Sequence, residues 1–291
     1  MMSLQSRPCL SLHSLSAVML VMTAACSSEA PTAPPPPAPV APVVPPPGAS
    51  QTPPTGAATA AAPAPVPVGA AVPGTVVLAN YHGLGNYYAA VITAVTGNQL
   101  SVLYADGDTE TLGTDAVLPD RLTPPLPGAI AQSSGDYQPV NIEHRVGHAL
   151  GVVYPDGRRL WTSVALARVT ADQLPANVYT PTAAVPFGEV GSLVQAQYSG
   201  DGHWYEAVVG DIVGDMRRVV YADGSSEDRP LEALRAGGIA VGAHIEARTR
   251  QSPEWLPGTV LLRASHGVQV ERASGERRWA AVGLVRVPPT P

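Results

Sequence analysis

The sequence feature that most constrains the fold is an internal repeat. The segment PGTVVLANYHGLGNYYAAVITAV (73–95) is matched by VGSLVQAQYSGDGHWYEAVVGDI (190–212), and VLYADG (102–107) is matched by VVYADG (219–224). All of these matches lie at one constant offset of 117 residues and need no gap. A repeat of this kind indicates a duplicated structural unit, so the chain is predicted to fold as a series of modules.

A second type of module follows each copy of the first. The segments 126–169 and 241–287 end alike, with Trp161 matching Trp279 and ALARV matching GLVRV. The order along the chain is therefore A, B, A, B, as expected if a two-module unit was duplicated whole. The predicted boundaries are A1 (73–122), B1 (123–170), a linker (171–188), A2 (189–236) and B2 (237–291).

Each module of about 45 residues reads as four or five short strands. In A2, Leu193 to Tyr198 alternates apolar and polar residues, Trp204 to Ile212 forms a longer strand, and Asp223-Gly224 is a hairpin signal. Many short antiparallel strands predict an all-β chain of small barrels, a form that removes exposed sheet edges. One such unit buries little apolar surface, so packing within each A–B pair is expected to add stability.

The first 25 residues read as a secretory signal peptide. Residues 16–25 (SAVMLVMTAA) are apolar, but they are too few to span a membrane as a mature helix. Small residues directly before Cys26 resemble the lipobox of bacterial lipoproteins. That resemblance implies lipidation of Cys26, an outer-membrane anchor and a location in the cell envelope, either periplasmic or surface-facing. The alternative is an ordinary signal peptide that is cleaved near Ala25.

The next segment, 26–72, is rich in proline and alanine. Prolines at this density disfavour helices and strand ladders and favour extended polyproline II, which predicts a disordered, semi-rigid linker. Alternatively, this proline-rich segment is itself a ligand that binds an aromatic groove elsewhere. With Cys9 removed in the signal peptide and Cys26 acylated, no thiol would remain for a disulfide, a zinc site or nucleophilic catalysis.

The A modules resemble the Tudor and Agenet group of SH3-like barrels. The resemblance rests on VQAQYSGDGHWYEAVV (194–209), VVYADG (219–224) and PLEAL (230–234), and in A1 on LANYHGLGNYYAAVI (78–92) with VLYADG. It implies four small SH3-like, Tudor-type barrels in two tandem pairs. All four modules fit the fold pattern, whereas only the two A modules keep the family's aromatic residues.

In that family, aromatic residues at the strand ends form a cage at the mouth of the barrel, and their π faces attract a cation. Tyr87 and Trp204 neighbour these positions on strands whose side chains alternate, so they are expected to point the other way. The turn after each third strand carries Asp-Gly, where the family has a further cage aromatic. Carried over by position, the ligand-binding candidates are Tyr81, Tyr88 and Tyr104 in A1 and Tyr198, Tyr205 and Tyr221 in A2.

Acidic residues follow the last tyrosine of each trio. They are predicted to form a negative rim suited to an amine, a guanidinium or a basic peptide, with Asp106 and Asp223 as ligand-binding candidates. The alternative is that the Asp-Gly pairs serve only the hairpins and that the tyrosines pack the small cores. The acids concerned are Asp106, Asp108 and Glu110 in A1 and Asp223, Glu227 and Asp228 in A2.

The B modules lack these aromatics. Ala247-Arg248-Thr249 and Glu271 stand in their places in B2, so no cage is predicted there. Trp161 and Trp279 are assigned to core packing or to the A–B interface.

Catalysis has little support in the sequence. No HExxH, G-x-S-x-G, phosphate-binding GKS or GKT, or dinucleotide fingerprint occurs, and His144 with His148 lacks a third metal ligand. The predicted protein is not an enzyme and has no cofactor, metal or catalytic residues. A net charge of −6 and a pI near 5.6 also disfavour nucleic-acid binding.

Together these observations predict a lipid-anchored envelope protein that acts as a non-enzymatic binding or scaffolding module. The predicted partner is a protein or peptide with a cationic group. Three alternatives stay open at this point: an adaptor that binds peptidoglycan stem peptides, a purely structural spacer between membrane and wall, and an enzyme that uses His144 or His148.

Overall fold

The computed structural model describes residues 71–131, 135–181 and 183–289. The predicted signal peptide, the lipidation of Cys26 and nearly all of the predicted linker 26–72 lie outside the described residues. Within them the chain consists of β-strands and short 3-10 turns, which confirms the predicted all-β class. No helix in the described part of the chain is long and apolar enough to cross a membrane.

The strands of the described residues fall into four consecutive sets of five, one set within each predicted module. A1 contains β1 (Val76–Asn80), β2 (Asn86–Thr96), β3 (Gln99–Tyr104), β4 (Thr109–Gly113) and β5 (Val117–Pro119). B1 contains β6 (Leu126–Ala131), β7 (Tyr137–Val146), β8 (Ala149–Val153), β9 (Arg159–Ser163) and β10 (Ala167–Thr170). A2 contains β11 (Leu193–Gln197), β12 (Trp204–Val213), β13 (Met216–Tyr221), β14 (Ser226–Pro230) and β15 (Leu234–Ala236). B2 contains β16 (His244–Thr249), β17 (Ser252–Ala264), β18 (Gly267–Glu271), β19 (Arg277–Ala281) and β20 (Val285–Arg286).

Each set curls into a small antiparallel barrel. The first four strands pair in chain order, a 3-10 turn follows the fourth, and the fifth strand returns to pair with the first. The long second strand carries an irregularity of register in every set, between Ile92 and Ala94 in A1 and between Val209 and Asp211 in A2. A β-bulge bends the strand and increases its twist, which lets one strand serve both sides of a small barrel.

Each A module is joined to the B module that follows it through the backbone. In the first pair, β10 lies beside β2, with Val169 opposite Tyr87. In the second pair, Trp204 and Val287 exchange two backbone hydrogen bonds of 3.0 and 2.8 Å. The two pairs therefore follow one plan.

The two pairs also pack against each other, and each B module contacts the A module of the other pair. The Asp-Gly turns carry this contact: Gly107 of A1 lies against Leu284 of B2, and Gly224 of A2 lies against Leu166 of B1. Because the residues concerned correspond in the two copies, the pairs are related by a pseudo-twofold axis.

The tryptophans of the B modules lie at this contact between pairs. Trp161 contacts Gly210 of A2: its side chain lies 3.1 Å from the position that a Cβ atom on Gly210 would take. Trp279 contacts Gly74 of A1 in the same way, at 3.6 Å from the position of a Cβ atom on Gly74. The structure thus assigns both residues to a module interface. That interface joins B1 to A2 and B2 to A1, and it is not the interface within an A–B pair.

A buried ionic network connects three of the modules. The carboxylate of Glu206 in A2 accepts hydrogen bonds of 2.6 and 2.5 Å from Arg263 of B2 and lies 3.1 Å from Nδ1 of His148 in B1. The backbone N–H of Ile239 donates a further bond of 2.9 Å. Burial alone would raise the pKa of Glu206, but His148 and Arg263 lower it to about 2. The carboxylate is therefore ionised at neutral pH.

The histidine of B2 that corresponds to His148 is His266, which is also fully buried. Its surroundings include Arg145, which makes two hydrogen bonds of 2.7 and 2.8 Å to the carboxylate of Asp120. Burial, reinforced by the charge of Arg145, lowers the pKa of His266 to about 3. His266 is therefore neutral in the folded protein at physiological pH.

Candidate functional site

The three tyrosines predicted in each A module come together in the structure. In A1, Tyr81 begins the 3-10 turn after β1, Tyr88 lies on β2 and Tyr104 ends β3. Ala90 is opposite Tyr104 in the ladder, and side chains two apart on a strand share a face, so Tyr88 and Tyr104 are diagonal neighbours. In A2, where Ala207 is opposite Tyr221, the same register brings Tyr205 beside Tyr221.

The rings of each trio stand nearly perpendicular to one another. In A1 the ring centroids are 5.3 to 6.4 Å apart, with interplanar angles from 70° to 88°. In A2 the distances are 5.9 to 6.1 Å and the angles 82° to 87°. Edge-to-face contacts of this kind are a favoured geometry for aromatic pairs. The two copies are thus alike in arrangement as well as in sequence.

Tyr104 and Tyr221 form the buried floor of each trio, with 3% and 5% of their surface exposed. The hydroxyl of Tyr104 donates a hydrogen bond of 2.7 Å to Glu110, and that of Tyr221 donates one of 2.5 Å to Glu227. Burial, followed by this bond to a carboxylate, raises the pKa of both phenols. The two floor tyrosines therefore belong to the barrel cores, as the core-packing alternative predicts.

The remaining tyrosines form the walls of each trio. Tyr198 is 42% exposed, whereas Tyr81, Tyr88 and Tyr205 are half-buried against their cores. The neighbouring Tyr87 packs against the core cluster that A1 and B1 share, on the opposite face of β2, as the alternation predicts.

The acidic residues divide into three groups. Glu110 and Glu227 bind the floor tyrosines and also accept backbone N–H groups of the loop after the first strand, from His82 and Ser199. Asp228 is bound by Arg218 across β13 and β14.

The third group consists of the turn aspartates. Asp106 and Asp223 each accept the N–H of the residue two positions later, at 3.1 and 2.9 Å, which is the hairpin role that the alternative predicts. Asp108 completes the acidic turn of A1. The structure therefore reduces the predicted rim to the turn aspartates, because Glu110 and Glu227 bind the floor tyrosines and Asp228 binds Arg218.

A fourth aromatic residue comes from the B module of the same pair. In the second pair, the ring centroid of Trp255 lies 6.4 Å from that of Tyr205, at 73°. In the first pair, Tyr137 adjoins Tyr88, and burial together with a hydrogen bond to Tyr88 raises the pKa of Tyr137 to about 12. Sequence reasoning missed both residues. Tyr137 and Trp255 are 118 residues apart, as are Trp161 and Trp279. Extending the alignment of the two B modules towards their first strands would therefore have paired these two aromatic residues.

In A1 the four rings line a half-open cavity of about 140 Å³. Two aspartates of the Asp-Gly turn also line it, and the rest of its wall consists of the aliphatic residues Ala89, Ala105, Val164 and Ala165. The side chains that carry this chemistry are Tyr81, Tyr88, Tyr104, Tyr137, Asp106 and Asp108. Such a cavity can hold a cation through ring faces and neutralise its charge at the turn.

In the second pair a guanidinium of the protein lies beside the corresponding aromatics. The guanidinium carbon of Arg286 is 4.3 Å from the ring centroid of Trp255, and its nitrogens lie 3.1 Å from Asp201 and 2.7 Å from Glu246. Asp201 also accepts the hydroxyl of Tyr205 at 2.8 Å. Burial and then this bond to Asp201 raise the pKa of Tyr205 to about 12, against the opposing influence of Arg286.

Within the part of the chain that the structure describes, the histidines do not converge on a metal site. His144 stacks on Trp161 with ring centroids 6.2 Å apart, while His148 is bound to Glu206. In the described ranges no group of three or more His, Cys, Asp or Glu side chains is placed to hold a metal ion.

No protein-family model matches the sequence, and no curated protein matches it. Among solved structures, it is similar to the AGD34 region of Arabidopsis thaliana AGDP1, with 21% identity over 35% of this chain and 83% of that one, at a TM-score of 0.21. It is also similar to tandem Agenet domain 3-4 of ADCP1, with 22% identity, coverage of 35% and 81%, and a TM-score of 0.19.

A longer match, over 74% of this chain, is to the four MBT repeats of Drosophila melanogaster Sfmbt in complex with the peptide RHR(me)KVLR. It covers 88% of that chain, with 10% identity and a TM-score of 0.19. Values this low carry no argument about function, so the proposals below rest on the geometry of the site.

Proposed function

We propose that the protein is a non-enzymatic binding module that holds a cationic group of a peptide, with the A1–B1 cavity as its principal site. The observation that carries this proposal is that four tyrosines and two turn aspartates line one half-open cavity of about 140 Å³. Aromatic faces attract a cation within about 6 Å of their centroids, with gains of roughly 0.5 to 2 kcal/mol for each contact. The ligand is a methylated or unmethylated ammonium or guanidinium.

The second pair supports this choice of ligand. There the protein's own Arg286 stacks on Trp255 and binds Asp201 and Glu246 beside Tyr205. A guanidinium is therefore compatible with an aromatic and carboxylate cluster of this composition. In the first pair the corresponding arginine, Arg168, also stacks, with its guanidinium carbon 3.8 Å from the ring centroid of Tyr137. Leu84 and Gly128 stand where the second pair has Asp201 and Glu246, so the first pair lacks the two clamping carboxylates.

The proposal predicts that the full chain binds peptides containing lysine, methyl-lysine or methyl-arginine, measured by isothermal titration calorimetry. Tyr81→Ala should weaken the binding about tenfold, because it removes one wall of the cavity. Phe187→Ala is the matched control, since Phe187 is a 45% exposed aromatic in the loop before β11. Binding of none of these peptides, or equal binding by Tyr81→Ala and the parent chain, would contradict the proposal.

We also propose that the signal sequence and Cys26 place the protein in the cell envelope as a lipoprotein anchored to the outer membrane, where peptidoglycan stem peptides offer free amines to the same cavity. The support is the run of small residues before Cys26. Labelling by radioactive palmitate that persists in Cys26→Ala would refute the anchor.

Co-sedimentation of the protein with purified sacculi that requires Tyr81 would favour peptidoglycan stem peptides as the ligand. Absence of binding to any peptide would favour a structural spacer.

A further inference from the structure

The acidic turn of the A1 cavity is shared with a residue of the fourth module. Arg250, in the turn between β16 and β17 of B2, lies with Nη1 2.7 Å from a carboxylate oxygen of Asp106 and 3.1 Å from one of Asp108. The charge of Asp106 and its hydrogen bond to Arg250 raise the pKa of the guanidinium, which stays protonated. The A1 site is therefore built from three modules.

The position of Arg250 changes the charge that a ligand meets. Asp106 and Asp108 line the cavity, and one guanidinium bridges them, so the turn carries a net charge of about −1. A second guanidinium of the protein, that of Arg168, lies 3.8 Å from the ring centroid of Tyr137, which lines the same cavity. Glu110 adds little, because its carboxylate already binds Tyr104 and the backbone of His82. The Arg250 side chain is half exposed.

The second copy of the site has no counterpart of this arginine. At the 118-residue offset, position 250 corresponds to Gln132, in the stretch AQSSGD (131–136) of B1. The carboxylate of Asp223, which corresponds to Asp106, instead accepts hydrogen bonds from the N–H and hydroxyl of Ser225 at 2.9 and 2.7 Å. Among the described residues, an arginine from the other pair therefore binds the acidic turn in A1, and the sequence of B1 carries no arginine at the matching position.

We infer that Arg250 is a specificity-determining residue of the A1 cavity, an internal cation that shares Asp106 and Asp108 with the ligand and so limits the site to a single positive charge. The inference deepens the proposed function and rests on it. A bound monocation leaves the turn close to neutral, whereas a second ligand charge would meet the guanidinium directly. The site therefore selects a singly charged methylated ammonium or guanidinium flanked by uncharged residues.

The test compares Arg250→Gln with the full parent chain, using tetramethylammonium and two trimethyl-lysine peptides as probes, one with neutral flanks and one with an added arginine beside the trimethyl-lysine. We expect Arg250→Gln to bind all three about threefold to tenfold more tightly, with the largest gain for the arginine-containing peptide. The gain should shrink as salt is raised, because exposed charges are screened. Arg250→Lys, which keeps the charge, should bind like the parent chain.

Arg277→Gln serves as the matched control, because Arg277 is an exposed arginine of B2 whose ion-pair partner is Glu271, at 3.0 Å, and not an aspartate of the A1 turn. Unchanged or weaker binding by Arg250→Gln, with circular dichroism showing it folded, would overturn the inference. If binding depends on Tyr81 but not on Arg250, the proposed function stands and this inference alone fails. If no variant and no parent chain binds a probe, both fail.

Discussion

Replacing Glu206 by glutamine is expected to lower the free energy of unfolding by about 3–5 kcal/mol, the usual cost of removing one partner from a buried ion pair. Glu206 is fully buried and binds Arg263 through both terminal nitrogens. Without the carboxylate charge, the guanidinium loses its counterion, and one of the two accepting oxygens becomes an NH2 group that cannot accept a hydrogen bond from Arg263. Because Glu206, Arg263 and His148 come from A2, B2 and B1, the loss should spread over three modules.

Urea unfolding of the full chain at neutral pH measures this loss. Glu232→Gln is the control, because Glu232 is an exposed residue of the same module. The control should change the unfolding free energy by less than about 0.5 kcal/mol. A loss below about 1 kcal/mol for Glu206→Gln would show that the network adds little to the packing of the modules.

Stability is expected to fall as the pH drops below about 6.5, through His266. Its pKa is about 3 in the folded protein and near the ordinary value of 6.5 in the unfolded chain. Between these values the unfolded chain binds a proton that the folded protein does not, so acid favours unfolding. The slope is about 1.4 kcal/mol per pH unit, which gives a loss of about 2 kcal/mol at pH 5.

The contribution of Glu206 enters at lower pH and has the same sign. Its pKa of about 2 in the folded protein lies below the ordinary value of 4.5, so its stabilisation is lost as the pH falls from about 4.5 towards 2. The loss between pH 6.5 and 5 therefore reports on His266 and not on Glu206.

Urea unfolding at several pH values tests this assignment. In His266→Gln the fall in stability between pH 6.5 and 5 should largely disappear, whatever the absolute stability of that variant. His244→Gln is the control, since His244 is exposed at the start of β16, and it should keep the parent slope. A His266→Gln variant with an unchanged slope would contradict the account of a buried neutral histidine.

The repeated sequence segments predicted the fold because strands and hairpins follow from local sequence patterns. Alternation, Asp-Gly turns and a fixed offset give strands and hairpins, and Asp223-Gly224 does lie between β13 and β14. The same alternation placed Tyr87 on the face opposite Tyr88, and the resemblance to the Tudor and Agenet group, carried over by position, grouped each tyrosine trio. These features depend on residues close in sequence or related by one repeat.

The parts that sequence reasoning missed depend on how modules pack. Tyr137 reaches the A1 trio from the next module, and Arg250 reaches its acidic turn from 144 residues away in the sequence. No local pattern marks such a partner. Too many acidic residues were predicted to line the ligand site for a related reason. Glu110 accepts a hydrogen bond from the Tyr104 hydroxyl, and this bond depends on the pairing of β3 with β4.

The two pairs share one architecture but differ at their aromatic clusters. In both pairs an arginine stacks on the B-module aromatic, Arg168 on Tyr137 and Arg286 on Trp255. In the second pair Asp201 and Glu246 bind that arginine, whereas the first pair has a cavity beside a two-aspartate turn. Duplication thus supplied two copies of the scaffold, and substitutions at a few positions made the copies chemically different.

The central claim is that the cation site is built jointly by an A and a B module, and the most direct test is the affinity of Tyr137→Ala for a trimethyl-lysine peptide. The account predicts a loss of about tenfold, equivalent to about 1.4 kcal/mol, because the B-module wall of the cavity is removed. Tyr137→Trp, which introduces the aromatic found at the matching position of B2, should retain binding. If Tyr137→Ala binds the peptide as tightly as the parent chain, the A–B site is not the binding site.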